Sequence, residues 1–319
     1  MSTPTPSNLP HPFSPQAILI TFLLAIAAYI VTFRISTVIH IFMGLISVTG
    51  DYQDLFTLFP LPKTLLQSIL PKDIFDGLMP VPASYGIPAT EHLVMLHLGR
   101  QRTGPPFYKF GAQEAKVEIP FVAPPFSTSR AAAVPSVWKH SLWTDNTLLA
   151  TSARMIMGLR TEKAVFDPPN APSDEGNQRA LKDSSAPGKY EVRGRVGWNG
   201  RKIDGAFVPE QYAAQAGALK THEMWWFGEH ASGTLCKFPF THHRPAVPYK
   251  ANIRLHLPSI AQGAKPLPLP GNESKALGLR ENFRIEGEWL VLEGVTTWWT
   301  DAAYVLDGPH TVAAVEKGK

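Results

Sequence analysis

Residues 114–122 read Glu-Ala-Lys-Val-Glu-Ile-Pro-Phe-Val (EAKVEIPFV). Side chains alternate across a strand with period two, so Glu114, Lys116 and Glu118 share one face and Ala115, Val117 and Ile119 the other. One face is charged and the other apolar. The same alternation describes a solvated edge or a polar wall lining a site. Outward from this stretch, short runs rich in apolar and β-branched residues recur between Gly and Pro: His92–Leu98, Ala115–Val122, Val192–Trp198, Ala251–Leu257, Phe283–Glu288 and Trp289–Trp299. Thr147–Met157 fits helix or strand. Short helices are expected around Lys63–Leu70, ended by Pro71, and over Glu210–Lys220. The fold class read from this pattern is mainly β (α+β), an antiparallel barrel or sandwich with few helices.

The N-terminal region reads differently. Ala17–Phe33 (AILITFLLAIAAYIVTF) has no charge, no proline and no glycine, and Arg34 closes it. At about 1.5 Å per residue it covers most of a hydrocarbon core of roughly 30 Å. Met1–Gln16 has no Lys or Arg, unlike the n-region of a secretory signal. The expectation for 15–50 is one transmembrane helix from about 15 to 34, followed by an interfacial or re-entrant apolar segment, Ile35–Val48. A polar tail precedes it (1–14), and a linker with a short helix follows (51–80). A β-rich domain then occupies 81–319, with a Pro-rich inserted loop at 167–189. The positive-inside rule, resting on Arg34 and Lys63, leans toward a single-pass protein with its C-terminal domain in the cytosol, at the endoplasmic reticulum. The sequon Asn272-Glu273-Ser274 would be used only in a lumenal domain.

Composition removes several function classes. The net charge of +4 is scattered, and Arg193–Arg195 and Arg201–Lys202 are too small for a nucleic-acid footprint. Cys236 is the only cysteine, so neither a disulfide framework nor a thiolate metal site is available. The 30 prolines shorten helices and favour loops and short strands. No G-x-S-x-G, G-x-G-x-x-G or Walker loop occurs, and Gly194, Gly197 and Gly200 suit a hairpin turn. His222-Glu223-Met224-Trp225-Trp226 lacks a zinc helix's second histidine; Glu229, His230, His242 and His243 lie nearby, and histidines on strands are more often satisfied by backbone groups than bound to metal. No metal or cofactor is called for.

Two segments together carry a family resemblance. In Glu114–Val122 a Glu lies six residues before a Pro, in the order Glu114, Ile119, Pro120, Phe121. In Leu142–Phe166 (LWTDNTLLATSARMIMGLRTEKAVF), Asp145, Asn146, Arg154 and Gly158 fall at matching spacing. These stretches resemble the acetoacetate decarboxylase family. His97, at the end of its strand, and the short helix Leu65–Pro71 also match. The resemblance implies a β-rich fold around a small-molecule site and, in that family, a lysine that forms a Schiff base with a ketone. In register from Gly158, the proline position is Arg160 and the lysine position is Thr161. Thr161 cannot form an imine. Lys163 shares its strand face and is the nearest amine.

The resemblance therefore implies a divergent, membrane-anchored relative acting on a hydrophobic carbonyl compound. Its reaction would be cyclisation, isomerisation, dehydration or decarboxylation by general acid–base chemistry, in a setting such as fungal specialised metabolism. Glu114, set near Phe107, Phe110 or Phe121, is the leading acid or base. Glu118, Arg160 and Lys163 complete the catalytic candidates. Arg154, Thr161, His97 and Trp225 are the substrate-binding candidates. Expected partners are a hydrophobic small molecule, the lipid bilayer and pathway enzymes, with no nucleic acid. A non-catalytic carrier of lipid or hydrophobic ligand, or a scaffold subunit, would use the same anchor. His92 and the pairs Trp225-Trp226 and Trp298-Trp299 suit core packing better than substrate contact.

Overall fold

The computed structural model describes residues 19–24, 27, 49–101, 112–129, 133–169, 188–204, 217, 220–221, 223–228, 233–243, 245–261 and 277–318. The chain divides into two compact units, Met1–Leu45 and Ile46–Lys319. In the first, Leu19–Leu24 and Ala27 are helical and exposed. Most of the Ala17–Phe33 run lies outside the described residues, as do Ile35–Val48, Phe107, Phe110, the Asn272 sequon, most of Glu210–Lys220 and most of the 167–189 insertion. Among the described residues no helix is long and apolar enough to cross a membrane.

The second unit is mainly β. Its strands are β1 (Thr49–Pro62), β2 (Glu91–Gln101), β3 (Ala112–Val122), β4 (Ser136–Thr144), β5 (Thr161–Lys163), β6 (Phe166–Asp167), β7 (Lys189–Val192) and β8 (Val196–Lys202). They continue as β9 (Trp226–Phe227), β10 (Thr234–Lys237), β11 (Phe240–His242), β12 (Val247–His256), β13 (Phe283–Glu286), β14 (Trp289–Val305) and β15 (Asp307–Thr311). The described helices are short: α1 (Lys63–Ile69), α2 (Lys72–Asp76), α3 (Thr147–Met157), α4 (Leu257–Ile260) and α5 (Val312–Lys317).

All fifteen strands join one open sheet in the order β15-β10-β9-β4-β3-β2-β1-β14-β12-β8-β7-β6. Strand β5 pairs beside β4, while β11 and β13 pair beside β14. The sheet is mixed, because β4 runs parallel to both β5 and β9. The expectation of an antiparallel barrel or sandwich is corrected to that extent. The sheet also curls: Ala164 N–H donates to the Thr144 carbonyl, and Arg193 N–H to the Val165 carbonyl. The stretch after Gly158 thus hydrogen-bonds to β4 at one end and beside β7 at the other.

Strand β1 falls where the sequence suggested a linker. Its apolar signal is broken by Asp51, Gln53, Asp54 and Thr57, and by two prolines. The prolines cause no loss of pairing on the β14 side, because that ladder ends at Thr57↔Thr297, before Pro60 and Pro62. Strand β4 was equally hidden, since Lys139, His140 and Ser141 interrupt its apolar residues. Thr147–Met157 resolves to a helix. The Asn146 side chain caps it by accepting from Leu148 N and Leu149 N, and Gly158 ends it at φ 60°. Val192–Trp198 is a turn between β7 and β8 rather than one strand, with Gly194 at φ 68° supplying the left-handed residue.

The two faces of the central strands are built from opposite chemistry. Register places Leu55, Phe59, Leu96, Leu98, Ala115 and Val117 toward the main core, where α1 adds Leu65, Leu66 and Ile69. The opposite face carries Tyr52, Asp54 and Phe56 from β1, His97 and Gly99 from β2, and Glu114, Lys116 and Glu118 from β3.

Candidate functional site

The charged residues of EAKVEIPFV face inward onto other charges rather than water. Register sets Gly99 opposite both Asp54 and Glu114, and His97 opposite Lys116. On β4, Lys139 is paired with Glu118 across a bulge at Val117/Glu118. Six ionisable side chains therefore converge on one face: Asp54, His97, Glu114, Lys116, Glu118 and Lys139.

Four of them form a chain, Asp54–His97–Glu118–Lys139, and Lys116 and Glu114 form a pair beside it on the same face. His97 Nδ1 lies 2.5 Å from Asp54 Oδ2, and its Nε2 lies 3.3 Å from Glu118 Oε2. Lys139 Nζ donates to Glu118 Oε1 at 2.8 Å. Lys116 Nζ lies 2.9 Å from Glu114 Oε1 and 4.7 Å from the centre of the Tyr52 ring. The side chains of Asp54 and His97 are 0% and 1% exposed, whereas Lys116 and Glu114 keep 13% and 10%. The row is deepest at Asp54–His97 and opens at Glu114–Lys116.

Burial and pairing set the protonation states. Burial opposes a charge on His97, but the Asp54 and Glu118 carboxylates outweigh it and raise its pKa to about 9. Burial would raise Glu118, yet Lys139 and His97 hold it well below the usual carboxylate range. Lys116 is raised: burial opposes its charge, and Glu114, Glu118 and Asp54 favour it more. Lys139 moves down, because burial and the Lys116 cation together exceed the pull of Glu118. Tyr52 is raised well above the phenol range by burial and by the Glu114 and Asp54 carboxylates.

Aromatic side chains wall the Lys139 end. Its ammonium sits 4.5 Å from the Trp226 ring centre and 5.4 Å from Phe238. Trp226 stacks on Phe238 at 5.3 Å, and Phe238 meets Tyr304 edge-on at 5.4 Å. The buried Trp226 indole N–H makes no hydrogen bond. Gly99 makes room for the Tyr52 ring: a Cβ there would lie 2.2 Å from the Tyr52 hydroxyl oxygen and 2.4 Å from Cζ. Only glycine lets that phenol cross β2 toward Glu114.

The candidates drawn from the sequence separate into two groups. Glu114, Glu118 and His97 meet in this row. Thr161 is fully buried opposite Leu142, which itself faces Lys116, so it borders the row without joining its ion pairs. Lys163 is two residues along β5, opposite Thr144, and exposed. Arg160 precedes Thr161 and so projects to the other face, 3.8 Å from Glu162, which also pairs with Arg195. The Arg154 guanidinium donates to the Thr161 carbonyl and holds the helix end to β5. Trp225 packs edge-on against His310, and its neighbour Trp226 is the tryptophan on the charged face. Phe121 sits at φ 57° and packs edge-on to Tyr85. Among the described residues no His, Cys, Asp and Glu group is arranged to hold a metal.

Sequence reasoning missed Asp54, Lys139 and Tyr52, and it assigned Trp226, within the Trp225-Trp226 pair, to core packing. A lysine flanked by tryptophans in Val-Trp-Lys-His-Ser-Leu-Trp was the one available signal, since Lys is seldom buried unless paired.

No family model matches the chain, and no curated protein sequence matches it. Among solved structures it is similar to acetoacetate decarboxylase from Legionella pneumophila, at 12% identity and a TM-score of 0.44, covering 82% of this chain and 84% of that one. It is also similar to an enduracididine biosynthesis enzyme complexed with pyruvate, at 11% identity and TM-score 0.42, covering 83% and 90%. A third is an acetoacetate decarboxylase-like enzyme from Sphingomonas wittichii, at 11% identity and TM-score 0.41, covering 83% and 92%.

Proposed function

We propose that this chain is an enzyme that moves protons on a small hydrophobic carbonyl compound, using the buried charged row of β1–β4. One observation carries the reading: six ionisable groups are buried together on one sheet face and open at Glu114–Lys116. Buried ion networks rarely add net stability, and apolar replacements are often as stable or more so. Such clusters gather where chemistry needs charge at a fixed point. Glu114 removes a proton beside the substrate carbonyl, and the Lys116 ammonium donates to the oxygen as negative charge develops there. Glu118, His97 and Asp54 hold Lys139 and Lys116 in position.

The test is Glu114→Gln. Turnover should fall at least about 100-fold, with near-UV circular dichroism unchanged. Product profiles of cells expressing the chain and its variant supply the assay, and an unaltered profile in the variant would remove Glu114 from the chemistry. A carrier at the membrane surface would instead return its ligand with unchanged mass.

A covalent route is favoured by one further observation, the lowered pKa of Lys139 beside two aromatic rings. Its ammonium would pass a proton to Glu118, 2.8 Å away, and the free amine would attack the carbonyl carbon. A proton moves from the attacking nitrogen to the carbonyl oxygen to give the carbinolamine. Glu118 returns its proton to that hydroxyl, which leaves as water, and the iminium inherits the cation's place. Borohydride reduction with a bound ketone should add mass to Lys139; an adduct on Lys163 alone, or none, would exclude this route.

The Ala17–Phe33 run, with no charged residue in it, supports a tether that keeps a greasy substrate near its pathway enzymes, as specialised metabolism would favour. The full chain should stay in the pellet after alkaline carbonate extraction, and a chain starting at Ile46 should be released. With the C-terminal unit in the cytosol, Asn272 should carry no glycan.

A further inference from the structure

We propose that the charged row selects an uncharged carbonyl compound with an aromatic or extended unsaturated body, and excludes carboxylate substrates. The inference rests on the function proposed above and names its substrate class. Among the described residues of this face, each buried cation already has a carboxylate: Lys116 has Glu114 at 2.9 Å, Lys139 has Glu118 at 2.8 Å, and His97 has Asp54 at 2.5 Å. The cations are also shared with rings, Tyr52 for Lys116 and Trp226 for Lys139. Among the described residues of this face no buried cation is left without a carboxylate to hold an entering anion. A carboxylate would have to displace Glu114 or Glu118 and leave it buried without its partner, which is the costly way to break such a pair. It would also approach the remaining acids at short range, in surroundings that screen poorly.

A neutral carbonyl meets no such penalty. Its oxygen can accept from a lysine ammonium without breaking the ion pair, because an ammonium has three donors. The buried Trp226 N–H, which lacks an acceptor, is a second donor on the same wall. The carbon body has Trp226, Phe238 and Tyr304 to lie against, with ring centroids 5.3–5.4 Å apart in successive pairs. The reaction class follows: loss of carbon dioxide from a keto acid needs an anionic substrate, whereas enolisation, cyclisation, isomerisation and dehydration do not.

The experiment compares two probes with one ring system, 2-acetylnaphthalene and 2-naphthoate, binding to the full chain in detergent at pH 7.5 by titration calorimetry. The ketone should bind at least about tenfold more tightly than the carboxylate. In Glu114→Gln, which releases Lys116 from its acid, the carboxylate should gain about tenfold. Equal or tighter binding of naphthoate to the wild-type chain would overturn the inference and leave the proposed function standing. Binding of neither probe would overturn both. If Glu114→Gln fails to fold, the wild-type comparison decides alone.

Discussion

Histidine protonation should give the fold a stability maximum near pH 6.5. His97 is held charged to about pH 9 by Asp54 and Glu118, against an unfolded value of 6.5. Between those values the native state keeps a proton that the unfolded chain releases, so stability falls as pH rises through the window. That interval, at 1.36 kcal/mol per pH unit, is worth about 3 kcal/mol. His92 and His140 act with the opposite sign. Burial lowers them to about 4 and about 3, so below pH 6.5 the unfolded chain binds protons the native state refuses. Stability is then lost as pH falls from 6.5 toward those values. Urea unfolding at half-unit steps from pH 5 to 9 would trace both flanks. In His97→Gln the alkaline decline between 6.5 and 9 should disappear while the acid flank remains. A wild-type chain equally stable at pH 6.5 and 9 would refute the protonated His97 held between Asp54 and Glu118.

Gly99→Ala should destabilise by about 1–3 kcal/mol, as overpacking does, because its methyl group would meet the Tyr52 ring at 2.2–2.4 Å; thermal denaturation reads it, and an unchanged midpoint would place Tyr52 elsewhere. Asn146→Ala removes the side-chain acceptor for Leu148 N and Leu149 N and should cost about 1 kcal/mol in urea unfolding. Cys236, buried and pushed up to about 12 largely by that burial, should resist a thiol reagent at pH 8 until the chain is unfolded.

Apolar and β-branched runs bounded by Gly and Pro made the strands around His92–Leu98 and Ala115–Val122 legible, and period-two alternation of polar and apolar residues marked the Glu114–Ile119 stretch. The same logic put Glu114, Lys116 and Glu118 on one face before any partner was known. It failed at β1 and β4. Both strands are buried on both faces, and one of those faces is ionic, so Asp54 and Lys139 look like surface residues in the sequence. Lys163 drew attention for the converse reason: it is close in sequence to the position of interest but exposed on β5.

The sequence by itself determined the strand character of EAKVEIPFV and the uncharged run at Ala17–Phe33, both of which follow from local geometry and composition, while the helix capped by Asn146 and the turn at Gly194 were settled by the structure. Tertiary structure alone decided that the charged face is an interior. Asp54 comes from 43 positions before His97, and Lys139 from 21 positions beyond Glu118. Only sheet register brings them within hydrogen-bonding distance, and only burial in low dielectric turns their separate charges into one coupled row.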